Sequence, residues 1–302
     1  MGFLGTKYPI VCAAMNGVSD IGLALAVNRA GAMPSLMIPM WKFDPQHHSA
    51  ILRNALDRYT NTAGNSQLLL VLNNWAYKNP DVLELVTRYK ISHVEYWDRL
   101  EANNTLDQSD TQVMAGVQYL NDCGVQQVTR IFDPEPRPHP AFAALGLKGS
   151  DSAGLTGQFT VRELFDQQRQ LTPDAALIPY GGVGTAEQVQ SYMTAGAAAV
   201  AVGTLFAMSA ESCLAPEVKQ RMVSAQAGDI QSLPGPDTKQ NALVLGDSAQ
   251  VLSDTSENRQ HSLENGIHGQ GGLVYAGAGI QYVDQILPVQ DIVEYLVSDL
   301  AL

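Results

Sequence analysis

Two glycine-bearing turns carry the clearest chemistry in this chain: Pro179-Tyr180-Gly181-Gly182-Val183-Gly184-Thr185 and Val202-Gly203-Thr204. Glycine lets backbone N–H groups approach an anion because no Cβ stands in the way. N–H groups at the start of a helix favour a phosphate dianion. Thr185 and Gln188 have the spacing of a capping box, so a helix is expected to begin directly behind the first turn. Taken singly, each turn is ordinary. At the ends of consecutive strand-like runs they become neighbours and read together as a phosphate cradle.

The elements that must position them alternate along the chain. Apolar runs of strand length lie at Pro9–Ala13, Met33–Ile38, Leu68–Leu72, Ser92–Tyr96, Gln127–Ile131, Ala141–Leu147, Ala176–Tyr180 and Ala198–Val202. Most are apolar almost throughout, as parallel strands covered on both faces should be. Helical patterns separate most of them. Ser19 is a candidate cap before Ile21, Ala24 and Leu25, Asn79-Pro80 opens a second helix, and Pro288 opens a last one carrying Val289, Ile292, Val293 and Leu296. Phe132–Pro140, with Pro134, Pro136, Pro138 and Pro140, is expected to be a loop where a helix would otherwise stand. The fold class expected is α/β, a TIM-type (β/α)8 barrel with an insertion between strand 8 and the last helix. The divisions are 1–207 for barrel strands and helices, 208–284 for a capping insertion and 285–302 for the closing helix. Its stretch from Gln226 to Gly279, rich in Gly, Ser, Asn, Asp and Gln, is read as irregular. A doubly wound open sheet is the runner-up, and no GxGxxG follows the first strand.

Composition narrows the partners. The 302 residues suffice for a barrel of ~250. A net charge of −12 disfavours nucleic acid and anionic membranes, so a small-molecule substrate is expected, with no nucleic acid and no membrane. Cys12, Cys123 and Cys213 form neither a disulfide framework nor a zinc motif, and no metal is expected. Met1–Pro9 lacks a signal pattern and no apolar run approaches ~18 residues, so a cytoplasmic protein is expected.

Several segments together resemble the nitronate monooxygenase (2-nitropropane dioxygenase) family, related to FMN-dependent enoyl-acyl-carrier-protein reductases. Pro9 to Ser19 is similar to the family's PI-x-x-x-PM-x-GVS opening, with Ala14 in place of proline. Leu70-Val71-Leu72-Asn73 is similar to its third strand. Lys148 to Gly157 is similar to its G-x-EAGGH-x-G segment. Gly181-Gly182, Gly203-Thr204 and Glu211-Ser212 match its turns, and Val274–Leu300 its closing segment. The resemblance implies a flavoprotein with FMN as cofactor. Ala14, Met15, Asn16 and Gly17 would pass along the flavin ring, Asn73 would bond its polar edge, and Lys148 would lie near ring or ribityl chain. Gly181, Gly182, Gly203 and Thr204 would hold the phosphate.

The departure from the family lies on the substrate side. Family members carry a His that acts as general base in nitroalkane oxidation; here Leu155 stands in its place, with Ser152 nearby. Leucine moves no proton. A nitronate is already a carbanion equivalent and needs only an electron acceptor. The resemblance therefore implies an oxidoreductase, a monooxygenase acting on a small anionic nitronate-like substrate with O2. One alternative is an NAD(P)H/FMN-dependent enoyl reductase acting in trans in fatty-acid or polyketide assembly. Another is a flavin-binding protein with little or altered catalysis in a specialised biosynthetic pathway. Candidates for a replacement catalytic group are His93 and Glu95, which share one strand face, and Asp151. Each has a plain structural reading as well, Glu95 as the partner of Arg130 and His93 as a core residue.

Overall fold

The computed structural model describes residues 2–39, 42, 44–97, 110–234, 239–245 and 256–300. Eight parallel strands form its main sheet: β1 (Ile10–Cys12), β2 (Ser35–Leu36), β3 (Leu69–Leu72), β4 (His93–Tyr96), β5 (Gln126–Ile131), β6 (Ala144–Lys148), β8 (Leu177–Tyr180) and β9 (Val200–Val202). β7 (Gly154–Thr156) belongs to a second sheet. The main order is β1-β9-β8-β6-β5-β4-β3-β2, and a parallel bridge between Val11 and Met33 joins the two ends. The sheet therefore wraps into a TIM-type (β/α)8 barrel. Each of the eight apolar runs in the sequence overlaps one of these strands, with β5 beginning one residue before its run and β6 ending one residue after its run.

Alternation along the strands sorts the core. Val11, Leu69, Val128, Ile178, Tyr180 and Ala201 form one buried cluster, together with Leu4 and Met33. Their strand neighbours Ile10, Cys12, Leu145, Leu147, Leu177, Val200 and Val202 form another with the surrounding helices. A period of two places the first set inside the barrel and the second beneath the helices. By the same parity Glu95, Arg130, Lys148 and Tyr180 point inward near the C-terminal strand ends. These are the ends where barrel enzymes keep reactive groups.

Local chemistry sets the helix starts. Asn79 accepts from the N–H groups of Asp81 and Val82, with Pro80 in the first turn. Thr185 and Gln188 close the expected capping box on the helix Ala186–Thr194. The first helix, Ile21–Arg29, is capped by Asp20, whose carboxylate accepts from Leu23 N. Ser19 is not its cap. Its hydroxyl is buried and instead accepts from Met15 N at 2.9 Å and meets Ser35 Oγ at 3.1 Å. The closing helix, Val289–Leu296, follows Pro288, and Glu211 Oε2 accepts from Val289 N at 2.9 Å. Phe132–Pro140 holds no helix.

The stretch read as irregular contains order that the sequence pattern hides. β10 (Ile230–Pro234), β11 (Lys239–Leu245) and β12 (Gly272–Tyr275) are antiparallel, and β7 joins β11. A helix, Ser256–Ile267, packs on β12. These strands are short and mix polar with apolar residues, and Leu233, Ala242, Leu243, Leu273 and Val274 are buried by a core built from distant parts of the chain, so no local periodicity announces them. Residues 235–238 and 246–255 of this stretch lie outside the described ones.

The helix seat is tight. A Cβ on Gly266 would run into the backbone carbonyl of Leu273. Gly266→Ala is expected to destabilise the protein by about 1–3 kcal/mol through overpacking. Urea denaturation followed by far-ultraviolet circular dichroism checks this, and an unchanged midpoint would refute the seat.

Candidate functional site

A cavity open to solvent lies at the C-terminal end of the barrel. The loop after β1 forms one wall. Ala13, Ala14, Met15, Asn16 and Val18 line it. Ala13 N donates to Val202 O at 2.9 Å, which ties the loop to β9. Gly17, in the left-handed region at φ 80°, turns the loop. It does not line the cavity.

The two glycine turns, at the ends of β9 and β8, continue the rim beside that loop. Gly181 (φ 116°) and Gly182 (φ 67°) adopt conformations that L side chains rarely take. They also pack directly on Ser152 and Asp151, so a Cβ at either would collide. Gly203 has only Ala13 Cβ and Met15 Sδ at 3.7 Å from where a Cβ would stand, leaving its approach open. Thr204 begins the short helix Thr204–Ala207. A third glycine pair, Gly277 and Gly279, joins them on the cavity wall, with Gly277 N donating to Thr204 Oγ1 at 3.4 Å. Sequence reasoning did not single out that pair, although the Ala-Gly-Ala-Gly run from Ala276 to Gly279 was a legible signal.

Lys148, Arg130 and Tyr180 line the barrel side of the cavity. Lys148 Nζ donates to Ala153 O at 2.5 Å. Burial, with the Arg130 cation nearby, pulls its ammonium down to about 7, against the opposing pull of Glu95. Glu95 is 0% exposed, forms an ion pair with Arg130 and accepts from Tyr180 Oη at 2.8 Å. The Arg130 guanidinium also lies 5.1 Å from the Tyr180 ring centroid. Burial, reinforced by Glu95, pushes the Tyr180 phenol well above its ordinary range. Gly146 makes room for this arrangement, since a Cβ there would press on the Tyr180 ring.

The remaining expected residues divide. Ser152 and Leu155 line the cavity. Asp151 stands behind the wall, where its Oδ1 accepts from Val161 N at 2.9 Å at the start of the helix Val161–Leu171, and burial raises its carboxyl. Asn73 stands apart as well. It caps the helix Asn74–Tyr77, accepting from Ala76 N at 3.0 Å. His93 opens β4 at the far end of the barrel, edge-on to Phe3 with ring centroids 5.2 Å apart, and its Nε2 lies 3.3 Å from Phe3 O. Glu95 is in the barrel interior but engaged below the cavity floor. Among the described lining residues there is no carboxylate and no histidine. The cap supplies Gln240, Leu263, Ile267, Val274 and Tyr275, and the β4 end supplies Trp97. None of these was visible as a site residue in the sequence, because each reaches the cavity through the second sheet, the helix packed on it or a strand end.

Residues 143–299, more than half of the chain, match the family described as nitronate monooxygenase. The chain belongs to the nitronate monooxygenase family. That family consists of flavin-dependent oxidoreductases. No curated protein matches the chain in sequence. Among solved structures it is similar to FabK from Thermotoga maritima, with 19% identity, TM-score 0.79, and 98% of this chain and 93% of that one covered. It is similar to nitroalkane oxidase from Streptomyces ansochromogenes, with 20% identity, TM-score 0.74 and coverage of 98% and 96%. The enoyl reductase domain of MlnA from the macrolactin biosynthesis cluster of Bacillus amyloliquefaciens gives 13% identity, TM-score 0.73 and coverage of 98% and 94%. At these identities the likeness is one of fold. Among the described residues no helix is long and apolar enough to cross a membrane.

The Lys148 ammonium has a consequence for stability. Its folded-state value near 7 lies below the ~10.4 of an unfolded lysine. Between those values the folded protein binds fewer protons than the unfolded one, so this group makes stability rise with pH across that window. Lys148→Met is expected to be more stable than the parent at pH 6, with the gap shrinking towards pH 10. Thermal midpoints across that range test this, and a gap that does not change with pH would contradict it.

Proposed function

We propose that this cavity binds FMN and that the protein oxidises a small anionic substrate of the nitronate type, with O2 as the electron acceptor. The observation that carries the reading is the make-up of the described wall: cationic Lys148 and Arg130, apolar Leu155, and neither carboxylate nor histidine.

The residues fit the cofactor. Gly181, Gly182, Gly203 and Thr204 offer a Cβ-free rim for a phosphate, and Gly277 and Gly279 extend it. Ala14, Met15 and Asn16 would lie along the flavin ring, with Lys148 beside it. Gly17 would contribute through the turn that it permits. Asn73, held by its helix cap, is left out of this set. FMN, when bound, supplies the electron-accepting centre.

The chain's own residues do the rest. Lys148 divides between charge states near neutral pH, and an anion next to it holds the ammonium form. The cation offsets the charge of a substrate entering an apolar chamber. Leu155, Leu263, Ile267 and Val274 exclude water and strengthen that attraction. A nitronate carbon already holds the electron pair that a base must otherwise release from a neutral nitroalkane. Leu155 therefore costs nothing for the first substrate and blocks the second.

The purified protein is expected to bind FMN, identified by absorption and by the flavin released on denaturation. It should consume oxygen with propyl-1-nitronate and run at least about 100-fold slower with 1-nitropropane, the factor a general base contributes. Leu155→His is expected to raise the 1-nitropropane rate on the order of tenfold or more. Rapid anaerobic bleaching of the flavin by NADPH would instead support the enoyl reductase reading. Bound flavin without turnover of either kind would support a binding role in a biosynthetic pathway.

A further inference from the structure

The cap carries one polar group whose bonding is incomplete. Gln240 on β11 is 3% exposed and lines the cavity. It lies directly across from Leu155 in the antiparallel register of β11 with β7. Its Oε1 accepts from Tyr275 Oη at 3.0 Å. Among the described residues its Nε2 has no protein acceptor, and that nitrogen is not sealed inside the protein.

The geometry follows from the strand. The next residue, Asn241, turns to the other face and donates from Nδ2 to Ser150 O at 2.7 Å and Ser152 O at 2.9 Å. Those two bonds clamp β11 against the loop that carries Ser152, so Gln240 is held over the cavity. Tyr275, itself on the wall, engages the carbonyl end of the Gln240 amide. An amide has its acceptor at one end and its two donors at the other. Holding the oxygen therefore turns the NH2 group away from Tyr275. A donor open to the cavity is available to a ligand oxygen, and an anionic oxygen makes the stronger bond. Leu155 opposite it offers no acceptor.

We propose that Gln240, oriented by Tyr275, is the hydrogen-bond donor that recognises the substrate, binding one oxygen of a small planar oxyanion. The class comprises nitronates and carboxylates, whose two oxygens flank one atom. Polar recognition at this wall thus sits on the cap strand, across from the apolar Leu155. The substrate class rests on the reading in the preceding subsection; the donor role of Gln240 does not depend on turnover.

Propionate serves as the probe, since it has the shape and charge of ethyl nitronate and is not oxidised at the carbon that would react. Isothermal titration calorimetry on the purified protein is expected to give saturable propionate binding. Gln240→Met, which keeps the length but removes the donor, is expected to weaken binding about tenfold or more, within the range of a charge-assisted hydrogen bond. Gln240→Glu is expected to abolish binding, because it sets a carboxylate against a carboxylate. Tyr275→Phe keeps the ring and frees the amide, and is expected to weaken binding by a smaller factor. Flavin content and thermal midpoint are measured on every variant. Propionate affinity unchanged in both Gln240→Met and Tyr275→Phe would overturn the proposal, as would a parent protein that binds no propionate. A parent that takes up no FMN yet loses propionate binding on Gln240→Met would sink the preceding reading and leave this one standing.

Discussion

Asp151 and its neighbours form the joint on which the site depends. The Asp151 carboxylate accepts the Val161 N–H at a helix start, and its carbonyl accepts from Ala278 N at 2.9 Å. Gly182 packs on its side chain and Gly181 on Ser152. The carbonyl of Ala153 takes the Lys148 ammonium, and the carbonyls of Ser150 and Ser152 take the Asn241 amide. A five-residue loop thereby holds a barrel strand, a glycine turn, the cap sheet and the third glycine pair in one register. Each partner comes from a different part of the chain. A disturbance at this loop moves the rim, the cation and the cap together, which explains why a carboxylate stands there without facing the cavity.

The barrel interior solves a second problem, that of keeping charge out of water. Glu95, Arg130 and Lys148 come from three strands whose parity turns them inward. An unpaired ion there costs several kcal/mol. Glu95 answers it by taking both the Arg130 guanidinium and the Tyr180 hydroxyl. Lys148 is left with a carbonyl rather than a carboxylate, and burial, with Arg130 nearby, lowers its affinity for a proton. The result is one cation on the cavity wall held by Glu95 from below and another that responds to whatever anion enters. The same packing engages both Glu95 oxygens, Oε1 with Arg130 and Oε2 with Tyr180.

The cap gives the chamber its apolar character and its remaining polar contact. Alternation along β11 sends Gln240 to the cavity and Asn241 to the loop, so a single strand both fixes the cap and presents an amide. Leu263 and Ile267, four residues apart on one helix, cover the same face. Leu155 thus shares the cavity wall with Leu263, Ile267 and Val274, and the Gln240 amide lies across the strand pair from it.

Much of this was legible in the chain itself. Eight apolar runs, the capping signals at Asn79 and Thr185, the proline-rich loop and the paired glycine turns are local features. A strand buried on both faces, a helix start or a left-handed turn requires particular residues within a few positions, whatever lies elsewhere. The strands and helix of the cap were not legible, since their burial comes from partners dozens of residues away. The same holds for Ser19, which a local rule makes a cap and the fold makes a tether for Met15. The outward place of Asp151, the helix-cap duty of Asn73 and the remoteness of His93 depended on tertiary register, as did the meeting of Gln240 with Leu155. Residue type and spacing determine what a side chain is able to do; only the register between distant strands decides what it faces.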